Sequence, residues 1–337
     1  MKMKELFDRG EFVVSAEVGP PKGIHVDELV EEAKTYLKGV HAVNVTDNQS
    51  SVMRLGSLAM CKVLKDAGMD PIFQLACRDR NRIALESDLL SAAMLGIENI
   101  LCLTGDHTKM GDHPQAKPVF DLDSVSLLHT VQLLESGVDL GGNPLVGEPP
   151  KFSKGAVVSP CSDSVDAQLA KMERKVAAGA DYFQTQAVFE PEKFIKFMEK
   201  AKQYGIAPSR LHIDPLVVTL GTDQTALTVF ADCCRRIKYE YPEIHITSGL
   251  SNISFGLPVR KNINQAFMVL AMNAGMDSAI VDPTNKNMIG MIYATNALLE
   301  RDEYCLQYID KFGNKASEEA AQPAPASPLD EKMQKVF

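Results

Sequence analysis

The chain has 337 residues, of which 45% are hydrophobic and 23% charged, an ordinary composition for a globular protein with a large core. Its formal net charge of −9 argues against long nucleic acid as a partner, since that partner requires a basic surface. The N-terminal segment lacks the apolar core of a signal peptide, and no apolar stretch reaches the roughly 18 residues of a membrane span, so we expect a cytoplasmic protein without a membrane partner.

Nine short apolar segments alternate with longer amphipathic ones along the chain. We predict strands over residues 12–18, 42–46, 71–76, 99–104, 155–159, 182–188, 211–217, 245–249 and 278–281. Helices are predicted between them, over residues 26–37, 57–67, 84–95, 124–134, 165–178, 191–204, 225–239 and 261–274. Because helices separate the strands, the sheet should be parallel.

One type of joint recurs where a predicted helix passes into the next strand. Gly68, Gly96, Gly179 and Gly275 stand at these joints, where a left-handed residue commonly ends a helix. The repeated unit predicts an α/β fold, a (β/α)₈ TIM barrel. Nine strands are one more than this barrel holds, so one is an accessory strand, a false prediction or a sign of unusual ancestry. An open doubly wound sheet is the alternative, but no GxGxxG follows the first strand.

The composition changes from residue 313 onward, where the sequence NKASEEAAQPAPASP is rich in Pro, Ala and Glu. Such a segment has little to bury, so we predict a barrel domain over residues 1–312 and a disordered linker or tail over residues 313–337. The tail either frays or leads to a further domain.

Polar residues follow the predicted strands, and in a barrel these points converge on one rim. Glu17 stands in an apolar strand, where burial would raise its pKa and suit it to general acid catalysis; the alternative is a surface position on a strand edge. Asp106 follows Gly105, a residue that lets the backbone approach a ligand closely. The amides of Gln184 and Gln186 match a heterocycle edge, or are satisfied within the core.

Basic residues cluster on the predicted helix over residues 165–178. Lys171 shares a helical face with Arg174 and Lys175, which predicts either a phosphate clamp or solvated surface charge. A metal site is not expected, because the seven cysteines include no CxxC pair and His107 and His113 lack further ligands nearby.

Residues from about 10 to 205 resemble the catalytic barrel of the flavin-dependent methylenetetrahydrofolate reductases. The matching pieces are VSAEVGPPKG, AVNVTDNQSS, GIENILCLTGDH, GAVVSPC and MERKVAAGADYFQTQAVFEPEKF, in family order. The resemblance implies that Glu17 is the general acid that assists opening of the folate ring, and that Asp106 and Gln186 face the pterin. It places FAD on Thr46, Gln74, Gly105, Asp106, Arg174 and Lys175. Two positions depart from the family pattern: Gln74 replaces a common His, and Ser159 a common aromatic residue.

Residues from about 206 to 312 resemble the methyltetrahydrofolate:corrinoid methyltransferases, a pterin-binding barrel family. The matching pieces are SRLHIDPLVV, ITSGLSNISFGLPVRKNINQAFMVLAMNAGMDSAIVDP and DEYCLQYIDKF. The resemblance implies that Asp214 binds the pterin and that Asn252 hydrogen-bonds the folate near N5. The barrel would then be a mosaic of two related barrels, which offers an origin for the ninth strand.

The two resemblances lead to three functional hypotheses. The first is FAD-dependent reduction of 5,10-methylenetetrahydrofolate to 5-methyltetrahydrofolate, with NADH or another reductant as electron donor. The second is methyl transfer from methyltetrahydrofolate to a corrinoid protein, and the third is an inactive pterin-binding barrel. The expected partners are folate and an electron-transfer or corrinoid protein, and we expect a homo-oligomer.

Overall fold

The structure, a computed structural model, describes residues 2–9, 12–37, 40–188, 190–281 and 287–320. The chain divides into two compact units, Met1–Met288 and Ile289–Phe337. The first unit contains a closed parallel barrel, and the second contains most of two helices near the C-terminus.

Nine strands form the barrel, and each pairs in parallel with its neighbour in the sequence. The last strand pairs with the first, where Ser15 lies opposite Ile280, and this pairing closes the barrel. The strands are β1 (Val13–Val18), β2 (Ala42–Val45), β3 (Pro71–Ala76), β4 (Asn99–Leu103), β5 (Ser153–Val158), β6 (Tyr182–Thr185), β7 (Leu211–Ile213), β8 (His245–Gly249) and β9 (Ser278–Ile280). The barrel prediction is confirmed, and the extra strand belongs to the barrel wall itself.

Eight helices connect consecutive strands, as the sequence predicts. They are α2 (Asp27–Tyr36), α3 (Ser57–Asp66), α4 (Arg82–Met94), α5 (Ser124–Glu135), α6 (Val165–Ala177), α7 (Pro191–Gln203), α8 (Ala226–Glu240) and α9 (Arg260–Asn273). The four glycines at the helix–strand joints have φ between +76° and +110°, which confirms their left-handed conformation. A short helix precedes the barrel, α1 (Met3–Asp8), and two follow it, α10 (Met288–Leu298) and α11 (Leu306–Ala320).

Helix α1, which the sequence did not predict, packs against the N-terminal end of the barrel. Met3 and Leu6 are buried with Val13, Ile72 and Tyr182 in one apolar cluster. The backbone N–H of Met3 also donates to Asn99 Oδ1 at 2.8 Å. The helix therefore covers the bottom of the barrel, so the opposite end is where a ligand can enter.

Aromatic contacts pack the helices of the second unit together. Tyr293 and Phe312 pack edge to face with ring centroids 5.8 Å apart, and Tyr308 lies 5.0 Å from the same Phe312 ring. Helix α11 continues to Ala320, into the segment predicted as linker, while residues 321–337 lie outside the described part of the chain. Among the described residues, no helix combines the length and the apolar character needed to cross a bilayer.

Candidate active site at the carboxyl ends of the strands

A cavity of about 610 Å³ opens at the carboxyl ends of the barrel strands. Barrel enzymes place their chemistry at this end, because the loops that follow all the strands meet there. Eight of the ten residues predicted for the site line the cavity: Glu17, Thr46, Gln74, Gly105, Asp106, Lys175, Gln186 and Asp214.

Glu17 stands near the end of β1, opposite Asn44 of β2. Its side chain is exposed within the cavity, and the surrounding wall removes only part of its contact with water. This partial loss of solvation raises the pKa of the Glu17 carboxyl, and the Gln49 side chain, which lines the same cavity, opposes the rise. A carboxyl of this kind can hold a proton at a higher pH than an ordinary glutamate and release it to a ligand.

Asp106 enters the cavity from the loop after β4, and its backbone is tightly held. The preceding Gly105 has φ +90°, and a Cβ at Gly105 would lie 3.1 Å from Arg78 Cβ and 3.3 Å from Ala76 Cβ. The Asp106 carbonyl oxygen accepts from Ser51 Oγ and from Arg78 Nη1, each at 3.4 Å. Glycine at position 105 is therefore required both by the backbone conformation and by the close packing.

A buried ion pair anchors the loops after β2 and β3. The side chain of Asp47 is 0% exposed and its Oδ2 lies 2.7 Å from Arg80 Nη1. The same oxygen accepts the backbone N–H of Ala76 at 2.9 Å, while Arg80 Nε pairs with Asp88 Oδ2 at 2.9 Å. The two loops that carry Thr46 and Arg78 are thus joined at the cavity wall.

Amide and hydroxyl side chains of β2, β3 and β6 line the deeper part of the cavity. Gln74 Nε2 lies 3.5 Å from Asn44 Oδ1, and Gln184 lines both the cavity and the interior below it. Thr46 Oγ1 is buried and has no hydrogen-bond partner among the described residues. These groups can recognise the donor and acceptor edge of a heterocycle.

Two lysines of α6 form the basic side of the cavity. Lys175 is 6% exposed and donates from Nζ to the Val157 carbonyl at 2.6 Å. Burial, reinforced by the charge of Lys171, lowers the pKa of Lys175 to about 8. Arg174, the predicted third member, does not line the cavity, because it lies on the exposed face of α6 and its Nε contacts the Ala170 carbonyl at 3.3 Å.

Asp214 follows β7 and is held at the cavity edge by its neighbours. Its Oδ1 accepts from Ser248 Oγ at 2.6 Å and from the Leu216 N–H at 3.0 Å. Burial raises the pKa of Asp214, and these hydrogen bonds oppose the rise. Asn252, predicted to act beside it, lies in the short Leu250–Ser254 turn after β8, where it is exposed and does not line the cavity.

Sequence reasoning missed some cavity residues and left others unassigned. Asn44 went unnoticed although it lies two residues before Thr46 and so faces the same side of β2, a signal that strand periodicity provides. Lys171 and Gln184 were noticed without a definite role. Gln49 gave no such signal, because it lies in an irregular turn whose direction only the structure shows. Within the described residues, no cluster of His, Cys, Asp or Glu has the make-up of a metal site.

The fold and this cavity define a parallel β/α barrel with a polar site at the carboxyl ends of its strands. The methylenetetrahydrofolate reductase family model matches residues 2–238, and the chain belongs to this family. The match continues past residue 205, where the sequence placed the end of the reductase-like part.

Curated relatives carry both resemblances that the sequence predicts. Methylcorrinoid:tetrahydrofolate methyltransferase of Eubacterium limosum is 51% identical over 115 residues, which cover 34% of this chain and 42% of that protein. The 5,10-methylenetetrahydrofolate reductase of Pectobacterium carotovorum subsp. carotovorum is 26% identical over 201 residues, covering 59% and 62%. The match to methionine synthase of Mycobacterium tuberculosis is 37% identical over 84 residues, covering 23% and 7%. The chain therefore spans less than two thirds of each relative.

A solved structure is also similar to the chain. It is described as an uncharacterized protein from Clostridium thermocellum that binds two copies of 5-methyl-5,6,7,8-tetrahydrofolic acid. The two chains share 14% identity with a TM-score of 0.49, and the match covers 80% of this chain and 98% of the other.

Proposed function

We propose that this protein reduces 5,10-methylenetetrahydrofolate to 5-methyltetrahydrofolate with the help of bound FAD. Folate one-carbon chemistry is supported by membership in the reductase family and by the relatives on both sides of the mosaic. The observation that carries the reductase proposal is that Glu17, Asp106 and Gln186 line one cavity, although they come from β1 and from the loops after β4 and β6.

In this proposal Asp106 and Gln186 bind the polar edge of the pterin. The carboxylate accepts hydrogen bonds from ring N–H groups, and the amide both donates and accepts. Glu17 then donates its proton to N10 as the five-membered folate ring opens. The raised pKa of Glu17 favours this role, because the carboxyl remains protonated at a higher pH than in water.

The residues present also fit a flavin. The buried Thr46 Oγ1 lacks a partner among the described residues, Gly105 lines the same cavity, and Lys175 with Lys171 supplies positive charge for phosphate groups. Gln74 adds an amide to the same side of the cavity. When bound, FAD supplies the hydride for the methylene group, and NADH, another reductant or an electron-transfer protein reduces the flavin.

The test is Glu17→Gln in the purified, flavin-loaded protein. We expect folate turnover to fall by about 10²–10⁴-fold, as loss of a general acid does, while reduction of the flavin by its electron donor remains near the wild-type rate. Glu28→Gln, on the exposed face of α2, is the matched control and should retain both reactions. Folate turnover that survives Glu17→Gln would remove Glu17 from the mechanism.

An absorption spectrum tests the cofactor separately. Purified protein should be yellow, with flavin absorption near ~450 nm. Colourless protein that does not take up added FAD would contradict the reductase proposal, and colourless protein that binds folate without turnover would support an inactive pterin-binding barrel.

The second candidate function is methyl transfer between methyltetrahydrofolate and a corrinoid protein. It is favoured by the 51% identity to the Eubacterium limosum methyltransferase and by Asp214, which lines the same cavity. It is weakened because Asn252 does not line that cavity. Methylation of a cob(I)alamin protein by the flavin-free protein, lost in Asp214→Asn, would establish it. A homo-oligomer and a cytoplasmic location remain predictions.

A further inference from the structure

We propose that Ser248 is a positioning residue that holds one oxygen of the Asp214 carboxylate and so leaves the other oxygen to bind a ring N–H of the folate. The inference rests on the proposal that the cavity binds folate, which both candidate reactions share. Asp214 lines the cavity, whereas Ser248, on β8, is 2% exposed and does not line it. Ser248 therefore acts on a ligand only indirectly, through the side chain that it holds.

The two oxygens of the Asp214 carboxyl have different surroundings. Oδ1 lies 2.6 Å from Ser248 Oγ and 3.0 Å from the backbone nitrogen of Leu216. An ionised carboxylate only accepts hydrogen bonds, so both neighbours donate to Oδ1. Among the described residues, Oδ2 has no hydrogen-bond partner. Oδ2 is therefore the oxygen that a ligand in the cavity can use.

The backbone of Asp214 is fixed without the help of Ser248. Its N–H donates to Thr185 Oγ1 of β6 at 3.0 Å, and its carbonyl accepts from the Val188 N–H at 2.6 Å. Pro215 follows and favours extended conformations for Asp214. Because the main chain is held in this way, the remaining freedom is rotation of the side chain, which the hydrogen bonds to Oδ1 restrict.

The two donors to Oδ1 come from different parts of the fold. Leu216 lies in the turn after β7, and its N–H contacts the carboxyl two residues earlier, as in the local turns that aspartate side chains commonly form. Ser248 belongs to β8, so its hydrogen bond ties the carboxylate to the barrel wall. Because strands move less than turns do, Ser248 is the contact that sets the direction of the carboxylate.

The other aspartates that line the cavity lack this arrangement. Both oxygens of Asp47 accept from Arg80, at 2.7 Å and 3.3 Å, so this carboxylate is already neutralised in an ion pair. Asp106 is exposed, and its recorded hydrogen bonds involve its backbone carbonyl. Asp214 combines partial burial with one fixed and one free oxygen, as expected of a carboxylate that recognises the N–H groups of a heterocycle.

Protonation of Asp214 would remove this acceptor. Burial raises the pKa of Asp214, and the hydrogen bonds from Ser248 and Leu216 oppose the rise. Loss of the Ser248 hydroxyl should therefore raise the pKa further. The other titratable groups that line the cavity are Glu17, Asp47, Arg78, Asp106, Lys171 and Lys175.

The test measures the affinity for 5-methyltetrahydrofolate by isothermal titration calorimetry as a function of pH. We expect Ser248→Ala to bind about tenfold more weakly than the wild-type protein, because the carboxylate loses a hydrogen bond and its fixed direction. On acidification, its affinity should fall at a pH about one unit higher, since Asp214 takes up a proton more readily. Ser248→Thr keeps the hydroxyl and should bind nearly as the wild-type protein does. Ser153→Ala is the matched control, because Ser153 is a buried strand serine whose Oγ accepts the Lys4 N–H at the bottom of the barrel.

A double-mutant cycle shows whether Ser248 acts through Asp214. In the Asp214→Ala background, Ser248→Ala should cause little further loss of affinity, because the carboxylate that it positions is gone. Equal losses in both backgrounds overturn the inference, as does a Ser248→Ala protein with unchanged affinity and unchanged pH dependence. If Asp214→Ala binds too weakly to measure, the pH shift in Ser248→Ala decides. A wild-type protein that binds no folate contradicts the proposed function instead, so the two failures are distinguishable.

Discussion

Gly105→Ala tests how the structure builds the cavity edge that carries Asp106. At φ +90° an alanine experiences the steric strain of the left-handed region, about 1–2 kcal/mol. Its Cβ would also lie 3.1 Å from Arg78 Cβ and 3.3 Å from Ala76 Cβ, an overpacking that costs about 1–3 kcal/mol more. We therefore expect Gly105→Ala to lower the free energy of unfolding by about 2–5 kcal/mol.

Gly68→Ala separates the two contributions. Gly68 has a similar φ of +84°, but a Cβ there meets nothing within 4 Å. Conformational strain alone should therefore lower the free energy of unfolding of Gly68→Ala, by about 1–2 kcal/mol. Urea denaturation of both variants gives the comparison, and folate titration of Gly105→Ala should also show weakened binding, because Asp106 is displaced with the loop. Equal stability losses in the two variants would refute the packing argument.

Two further predictions concern the buried charges beside the cavity. Asp47→Ala leaves Arg80 with only the more exposed Asp88 and removes the acceptor of the Ala76 N–H, so it should destabilise the protein by about 3–5 kcal/mol in urea denaturation. Asp66→Ala, which breaks the exposed Lys62–Asp66 pair, should leave the midpoint almost unchanged. Folding lowers the pKa of Lys175 to about 8, whereas an unfolded lysine has a pKa of about 10.4. Between these two pH values the unfolded chain binds more protons than the folded chain, so the stability of the protein should rise with pH. Lys175→Met should lack this rise, which amounts to roughly 3 kcal/mol; identical pH dependence in the two proteins would contradict it.

The strands and the helices between them could be predicted because they depend on local signals. Apolar segments bounded by glycine, and helical periodicity between them, located all nine strands and the eight connecting helices. The predicted strands ran too long at the carboxyl ends of β6 and β7, which end at Thr185 and Ile213; after β7 the left-handed Leu216, with φ of 57°, cannot continue a strand. Helix α1 escaped prediction because its six residues are too few to show a period.

The site was predictable only as far as strand ends are predictable. Residues on strands, such as Glu17, and residues directly after them, such as Asp106, reach the cavity because the barrel brings all strand ends together. Arg174 and Lys175 are adjacent in sequence, but about 100° of helical rotation separates neighbours, so only Lys175 faces the barrel. Whether Asn252 and Gln49 reach the cavity depends on turn conformations, which cannot be predicted from composition.

The closed nine-stranded barrel lets early and late parts of the chain contribute to one site. An eight-stranded barrel is just filled by its inward side chains, and a ninth strand widens it. Here the interior below the site contains the polar residues Asn44, Gln184 and His212 around a remaining cavity of about 30 Å³, closed at the bottom by α1. Because all strand ends meet on one rim, Asp214 from the later strands lines the same cavity as Glu17 from the first. Reduction and methyl transfer would therefore use one folate position, so 5-methyltetrahydrofolate should compete with 5,10-methylenetetrahydrofolate for it.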